Sequence, residues 1–184
     1  MRRAALLAIL GCLFIGAVTS QQVFAYETTA QQVMTSITVD ELSGLIRSMS
    51  SDGVTLLRQD LSDSDHPLLE IQYASGRHDG ITLYNKQRKV SYGSSGIVTA
   101  DRTSFSTLVL QTGFSVHVKP LASAINDWNT SMIFGRAYLD NVSDPMLDAW
   151  LYLDGGITVD AIKAFVKHFG TVTDEFYSKF VQGK

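Results

Sequence analysis

Cysteine is nearly missing from this chain: its 184 residues contain one, Cys12. That residue lies in an N-terminal stretch with the layout of a removable leader. The remainder then has no disulfide, no thiol nucleophile and no thiolate metal site. Charge is also sparse, at 18% Asp, Glu, Lys and Arg, and after Arg2 and Arg3 no run of basic residues occurs. A mildly acidic chain without a basic cluster argues against nucleic acid or an anionic membrane surface as partner. Long apolar runs are lacking too: the longest, Ala4 to Val18, is shorter than the ~20 residues of a spanning helix.

Local catalytic and metal motifs are absent in the same way. The histidines at 66, 78, 117 and 168 show no four-residue spacing, and His66 and His78 fall in segments that read as polar turns. Asp60, Asp63 and Asp65 could be imagined around Ca²⁺, but the central glycine and distal glutamate of an EF-hand loop are missing, so they read as a solvated turn. The turn acids Asp140 and Asp144 read the same way. "GSSG" at 93–96 is not the Gly-x-Ser-x-Gly elbow of a hydrolase. Gly155 and Gly156 lack the further glycines and lysine of a phosphate loop. No catalytic residue, metal ligand or cofactor is therefore assigned, although a triad built from distant positions would leave no local trace.

What is present begins with the leader. "MRRAALLAILGCLFIGAVTSQQVFA" has a basic start, an apolar run and a small-residue end at Ala25, the layout of a cleaved secretory signal over residues 1–25. A lipoprotein signal at Cys12 fits less well, because the apolar run continues through Leu13, Phe14 and Ile15. Cleavage after Ala25 takes 25 of 184 residues, leaving 159, and moves the formal charge from −3 to −5. That size suits one domain, periplasmic or secreted, with no membrane span once the signal is gone.

Residues 26–36 read as a flexible lead-in. A domain over 37–184 opens with a helix in which Thr38 and Glu41 have capping-box spacing and Val39, Leu42, Leu45, Ile46 and Met49 share one face up to Gly53. Five strand-like runs follow: "VTLLRQ", "LLEIQYA", "GITLYNK", "KVSYG" and "FSTLVLQTGF". A second helix, "KPLASAINDWN", starts with Pro120 in its first turn and aligns Leu121, Ile125 and Trp128. Two strands flank "NVSDP", and the last helix is capped by Thr158, with Val159, Ile162, Phe165, Val166 and Phe169 in a stripe. Gly170 is expected to break or kink it before Phe176 and Phe180. Ile-Thr-Val-Asp occurs at 37–40 and again at 157–160, which shared capping chemistry explains without a duplication.

"INDWN", then "FGRAYLD", then "LDGGITVDAIKAF", in this order and spacing between Ile125 and Phe169, resemble the YbjN family of bacterial proteins. The resemblance implies an α+β fold, an antiparallel sheet flanked by helices in the order α-β-β-β-α-β-β-α, similar to type III secretion chaperones. It implies a regulatory or chaperone-like role without catalytic residues. Its motif residues, Asn126, Trp128, Asn129, Gly155, Gly156 and Thr158, read bottom-up as structural. Asn129 ends a helix in the left-handed conformation, Asn126 bonds loop or strand backbone, Trp128 fills the gap beneath the second helix, and the two glycines make a tight turn.

With "NVSDP" as a five-residue loop, Leu139 faces Leu147, Ala137 faces Ala149, Gly135 faces Leu151 and Ile133 faces Leu153. On the opposite face Tyr138 meets Asp148, Arg136 meets Trp150 and Phe134 meets Tyr152. This separates an aliphatic face, expected under the helices, from an aromatic face with one ion-paired or cation-π arginine. Phe134, Arg136, Tyr138, Trp150 and Tyr152 are thus the candidate interface, for a second copy or a protein or peptide partner. The sequence reads best as an exported, non-enzymatic protein-binding module, and the alternative is a periplasmic hydrolase or small-molecule sensor using the sheet face as a pocket.

Overall fold

A computed structural model describes residues 32–182; the expected signal at 1–25 lies outside the described residues. The elements are β1 (Val33–Met34), α1 (Val39–Arg47), β2 (Val54–Asp60), β3 (Leu68–Tyr73), β4 (His78–Tyr92), β5 (Val98–Gly113), α2 (Ala122–Ser131), β6 (Arg136–Leu139), β7 (Pro145–Tyr152), β8 (Ile157–Thr158) and α3 (Val159–Tyr177), with a last turn over Ser178–Gln182. Six strands form one antiparallel sheet in the order β2-β3-β4-β5-β7-β6, and β1 pairs with β8. The fold is α+β, as the sequence indicates. The element order is not the expected α-β-β-β-α-β-β-α, because four strands stand between α1 and α2 and two short ones precede α1 and α3.

The five runs of the middle region condense into four strands. "GITLYNK" and "KVSYG" are one strand, whose ladder with β5 continues through Gln87↔Ser104 and Arg88↔Thr103. Beyond Lys86 the β4–β5 ribbon runs past the core and touches α1 through the Arg102–Glu41 ion pair. Most of its residues are exposed from Val98 to Arg102, so polar residues extend a ladder that alternation in the sequence does not announce. For the same reason β5 begins at Val98 rather than at Phe105; at the other end His78 opens β4 opposite Gln72 of β3 instead of sitting in a turn.

One face of the sheet is the core. Leu69, Ile71, Ile81, Leu83, Leu108, Leu110, Leu147 and Ala149 alternate inward and are buried against Leu42, Ile46, Ile162, Val166, Phe169 and Phe176 of α1 and α3. Thr38 caps α1 through its hydroxyl while Glu41 returns the bond to the Thr38 N–H, at 3.1 and 2.8 Å. Thr158 caps α3 by accepting from the Ala161 N–H. The two Ile-Thr-Val-Asp copies therefore do share one device. Each also brings its isoleucine to a strand: Ile37 exchanges two 2.8 Å backbone bonds with Phe105, and Ile157 sits opposite Met34.

Two expectations about chain breaks are corrected. The end of the lead-in read as flexible over 26–36 is tied down at Val33 and Met34 by β8, with Met34 buried. Gly156, at φ 85°, permits this: a β-carbon there would come within 2.9 Å of Val33 Cγ1. Gly170 does not break α3, which runs through it to Tyr177. The Tyr73 ring lies flush on this glycine, where any β-carbon would collide with it, so the residue is there for close packing rather than for a stop. Helix α2 starts later than expected, with Leu121 at the N-cap and Pro120 outside it. Leu121 is exposed while Ile125 and Trp128 are buried.

Candidate functional site: the open face of the sheet

The hairpin of β6 and β7 is tighter than the sequence suggests. Asp140 Oδ1 accepts from the N–H groups of Val142 and Asp144, the Asp140 N–H donates to Asp144 O, and Ser143 takes φ 63°. The loop is therefore three residues, 141–143, a common hairpin geometry. Pro145 joins the strand opposite Leu139. The pairs become Arg136↔Asp148, Ala137↔Leu147, Tyr138↔Met146 and Leu139↔Pro145, two residues away from the expected register. Because side chains alternate with period two, a two-residue slip preserves the faces. Ala137, Leu147 and Ala149 do lie buried on the helical side.

Arg136, Tyr138, Trp150 and Tyr152 are together on the opposite face, as expected, and Asp148 joins them. Arg136 makes two bonds to Asp148, at 3.2 and 2.6 Å, and its guanidinium sits 5.3 Å from the Tyr138 ring centre. The bond and charge of Asp148 raise the Arg136 pKa further. Burial raises that of Tyr138, although its hydroxyl accepts from Gln111. Phe134 is the exception. Strand β6 starts only at Arg136, and Gly135 at φ 82° turns the chain, so Phe134 swings to the helical side and packs on Phe165, His168 and Phe169.

The face carries more than the hairpin. Trp150 stacks on Tyr152 at 6.4 Å and on Tyr84 of β4 at 5.9 Å, and Tyr84 meets His66 at 4.7 Å. These rings form a row over Thr107 and Val109 of β5, which they bury. Trp150 and Tyr152 remain 46% and 59% exposed. Nothing local in "GITLYNK" or "SDSDHP" marks Tyr84 and His66 as members; only the strand pairing brings them there. Other charges on this side are already matched, Arg58 with Glu70 at 2.7 Å and Lys86 with Asp65 at 2.9 Å.

The motif residues have the following places. Asn129 is not a left-handed helix end: α2 runs on to Ser131. Its amide instead grips β6, with Oδ1 accepting from the Ala137 N–H at 2.8 Å and Nδ2 donating to Ala137 O at 2.9 Å. That is the strand-bonding task expected of Asn126, whose backbone carbonyl accepts from the Thr130 hydroxyl. Trp128 fills the space beneath α2, edge-on to Phe176 and Phe180. Gly155 and Gly156 lie in the turn after Tyr152, closed by the Gly156 N–H on Leu153 O.

The acids in turns are mostly used by their own loops. Asp60 accepts from Ser62, and Asp63 from the N–H groups of Asp65 and His66. Asp144 departs from the solvated-turn reading: it is buried and binds Lys119 Nζ and the Val116 N–H, which hold its pKa down. Among the described residues no group of three or more His, Cys, Asp or Glu could hold a metal ion, and no helix is long and apolar enough to cross a membrane. A cleft of about 520 Å³ beside α3 gathers His168, Asp52 and Asp174. There Asp52 is engaged with Lys167 at 3.2 Å, Asp174 with Arg77 at 2.9 Å, and the His168 ring with Phe134.

Residues 91–182, from the tip of the ribbon through α2, the hairpin and α3, match the YbjN family model, described as "Putative bacterial sensory transduction regulator". The match spans half of the chain. This protein belongs to the YbjN family. It contains the row residues Trp150 and Tyr152 and the Asn129 clasp, whereas Tyr84 and His66 precede the matched YbjN segment. Neither a curated protein nor a solved structure matches the chain. The family description is that of a regulator, which is compatible with a regulatory module lacking its own reaction.

Proposed function

We propose that this YbjN protein is an exported, non-enzymatic binding module, regulatory or chaperone-like, that holds a protein or peptide partner on the open face of its sheet. The observation that carries the reading is the row Tyr84–Trp150–Tyr152, exposed at its end on a face the helices leave uncovered. Large amphipathic rings held rigidly by strands lose little entropy on binding and dominate protein interfaces. With Arg58 and Lys86 paired within the chain, shape and apolar area carry most of the contact. Export is supported by the leader-like sequence of residues 1–25.

Light scattering and partner capture from periplasmic extract test this with wild type and Trp150→Ala. Half of the Trp150 ring is exposed, but its removal uncovers Thr107 and Val109, so the variant is expected to stay folded with a loss of about 1–3 kcal/mol while losing self-association or the captured partner. Unchanged mass and an unchanged captured set would refute the reading. A hydrolase or a small-molecule sensor would show itself otherwise, by turnover or by a ligand-dependent melting shift that Trp150→Ala abolishes.

A further inference from the structure

Strand β6 has four residues and β7 has eight, so β6 covers β7 only from Pro145 to Asp148. Antiparallel strands direct successive backbone N–H and C=O pairs to alternate sides. In β7 the odd residues face β5, as the continuing bond from the Leu153 N–H to Ser106 O shows, and the even residues face β6, as the Asp140–Asp144 bond shows. The backbone groups of Trp150 and Tyr152 therefore point to the β6 side at a place where β6 has already ended. Nearby, Asn129 closes Ala137, one of the outward-facing residues of β6 itself.

The gap is a cleft of about 540 Å³. Its base is this main chain. One wall is Trp150 and Tyr152, the other is Phe134 and Phe165, and a fully exposed Ile133 stands at the rim. Four residues of uncovered strand, Ala149 to Tyr152, extend about 13 Å. An apolar cleft with a row of unpaired main-chain donors and acceptors along its base is complementary to another main chain.

We propose that the cleft takes an extended segment of a partner protein, four to five residues long, which adds to β7 antiparallel and in line with β6. This rests on the binding-module reading and names its ligand class and site. In that direction the segment's C-terminal end abuts Arg136. The Arg136 side chain is 65% exposed, while Asp148, which takes two of its donors, is 4% exposed. The guanidinium thus has outward N–H groups to spare, and a carboxylate on the segment residue opposite Trp150, two positions away along the same face, is their complement. The segment residue opposite Tyr152 also shares the open face, and those opposite Ala149 and Leu151 meet the Phe134–Phe165 wall, so apolar or β-branched residues suit these three positions.

The test uses fluorescein-labelled Val-Thr-Val-Asp-Val, amidated at its C-terminus, which places Asp opposite Trp150, and the same peptide with Asn for Asp. Polarisation is expected to rise saturably, with the Asn peptide about tenfold weaker for the loss of roughly 1.4 kcal/mol. Amide hydrogen exchange at Trp150 and Tyr152 is expected to be faster than at Ala149 and Leu151 in the free protein. It should slow at least about tenfold when the peptide saturates it. No saturable binding of either peptide overturns the proposal. So does binding without protection of Trp150 and Tyr152, which would keep a binding module but remove this site. Amides of Trp150 and Tyr152 already slow in a free protein that scatters as a dimer would assign the cleft to a second copy and overturn it as well.

Discussion

Asp79 offers a quantitative test of how the helical side of the sheet is held together. It lies in β4 with 3% of its surface exposed. Oδ2 accepts from the Thr173 hydroxyl of α3 at 3.2 Å, and Oδ1 has no hydrogen-bond partner within the protein. Burial raises its pKa from 3.8 to about 6, with the charge of Asp174 adding to the rise, while the neighbouring hydroxyls of Thr112, Tyr73 and Thr173 oppose it. The Arg77 guanidinium, which could offset an ionised Asp79, is turned to Asp174 at 2.9 Å and lies over the Tyr177 ring. A folded-state value above the unfolded one means that the native protein binds this proton more tightly. The stabilisation is complete below about pH 3.8 and is lost as pH rises through about 6. At about 1.4 kcal/mol per pH unit the gap amounts to about 3 kcal/mol. Asp79→Asn keeps the shape and removes the charge, so its stability relative to wild type should climb between pH 4 and 7 by up to about 3 kcal/mol and then level off. Urea unfolding of both proteins at several pH values reads this difference directly, with other titrating groups common to both. A constant difference across that range would show that Asp79 is not held protonated by burial, and the reasoning would fail.

Asn129→Ala removes both bonds to Ala137 and leaves the edge of β6 open; about 1–3 kcal/mol of stability should be lost, and exchange at the Ala137 amide should accelerate. An unchanged Ala137 amide would mean that the clasp does not hold the strand. Gly170→Ala forces the Tyr73 ring and α3 apart, an overpacking worth about 1–3 kcal/mol. Pairing it with Tyr73→Leu should recover part of that loss, and strictly additive effects in denaturant melts would contradict the contact.

Much of this architecture could be read from local chemistry. The caps at Thr38 and Thr158, the apolar stripes of α1 and α3, and the face segregation of the hairpin all depend on residues within a few positions of one another. The hairpin shows why even a wrong loop length did little harm: Asp140 tightens the loop and moves the register by two, and two is the period of a strand. Asn129 reads locally as a helix end, whereas its partner, Ala137, lies on another element. Side chains of this kind bond either their own turn or a neighbouring strand, and the sequence does not say which. Gly170 resembles a helix stop in sequence because the ring that makes glycine necessary there comes from Tyr73, about a hundred positions away.

The sequence by itself determined the elements that short-range capping and periodicity specify, the two faces of the hairpin, and the family. Tertiary structure decided which residues from distant strands share the open face, so that Tyr84 and His66 extend a row begun by Trp150 and Tyr152. It also decided where β6 stops, leaving main chain uncovered beside β7. Strand pairing is long-range, and its order and extent follow from how the helices cover one face of the whole sheet rather than from any local run of residues.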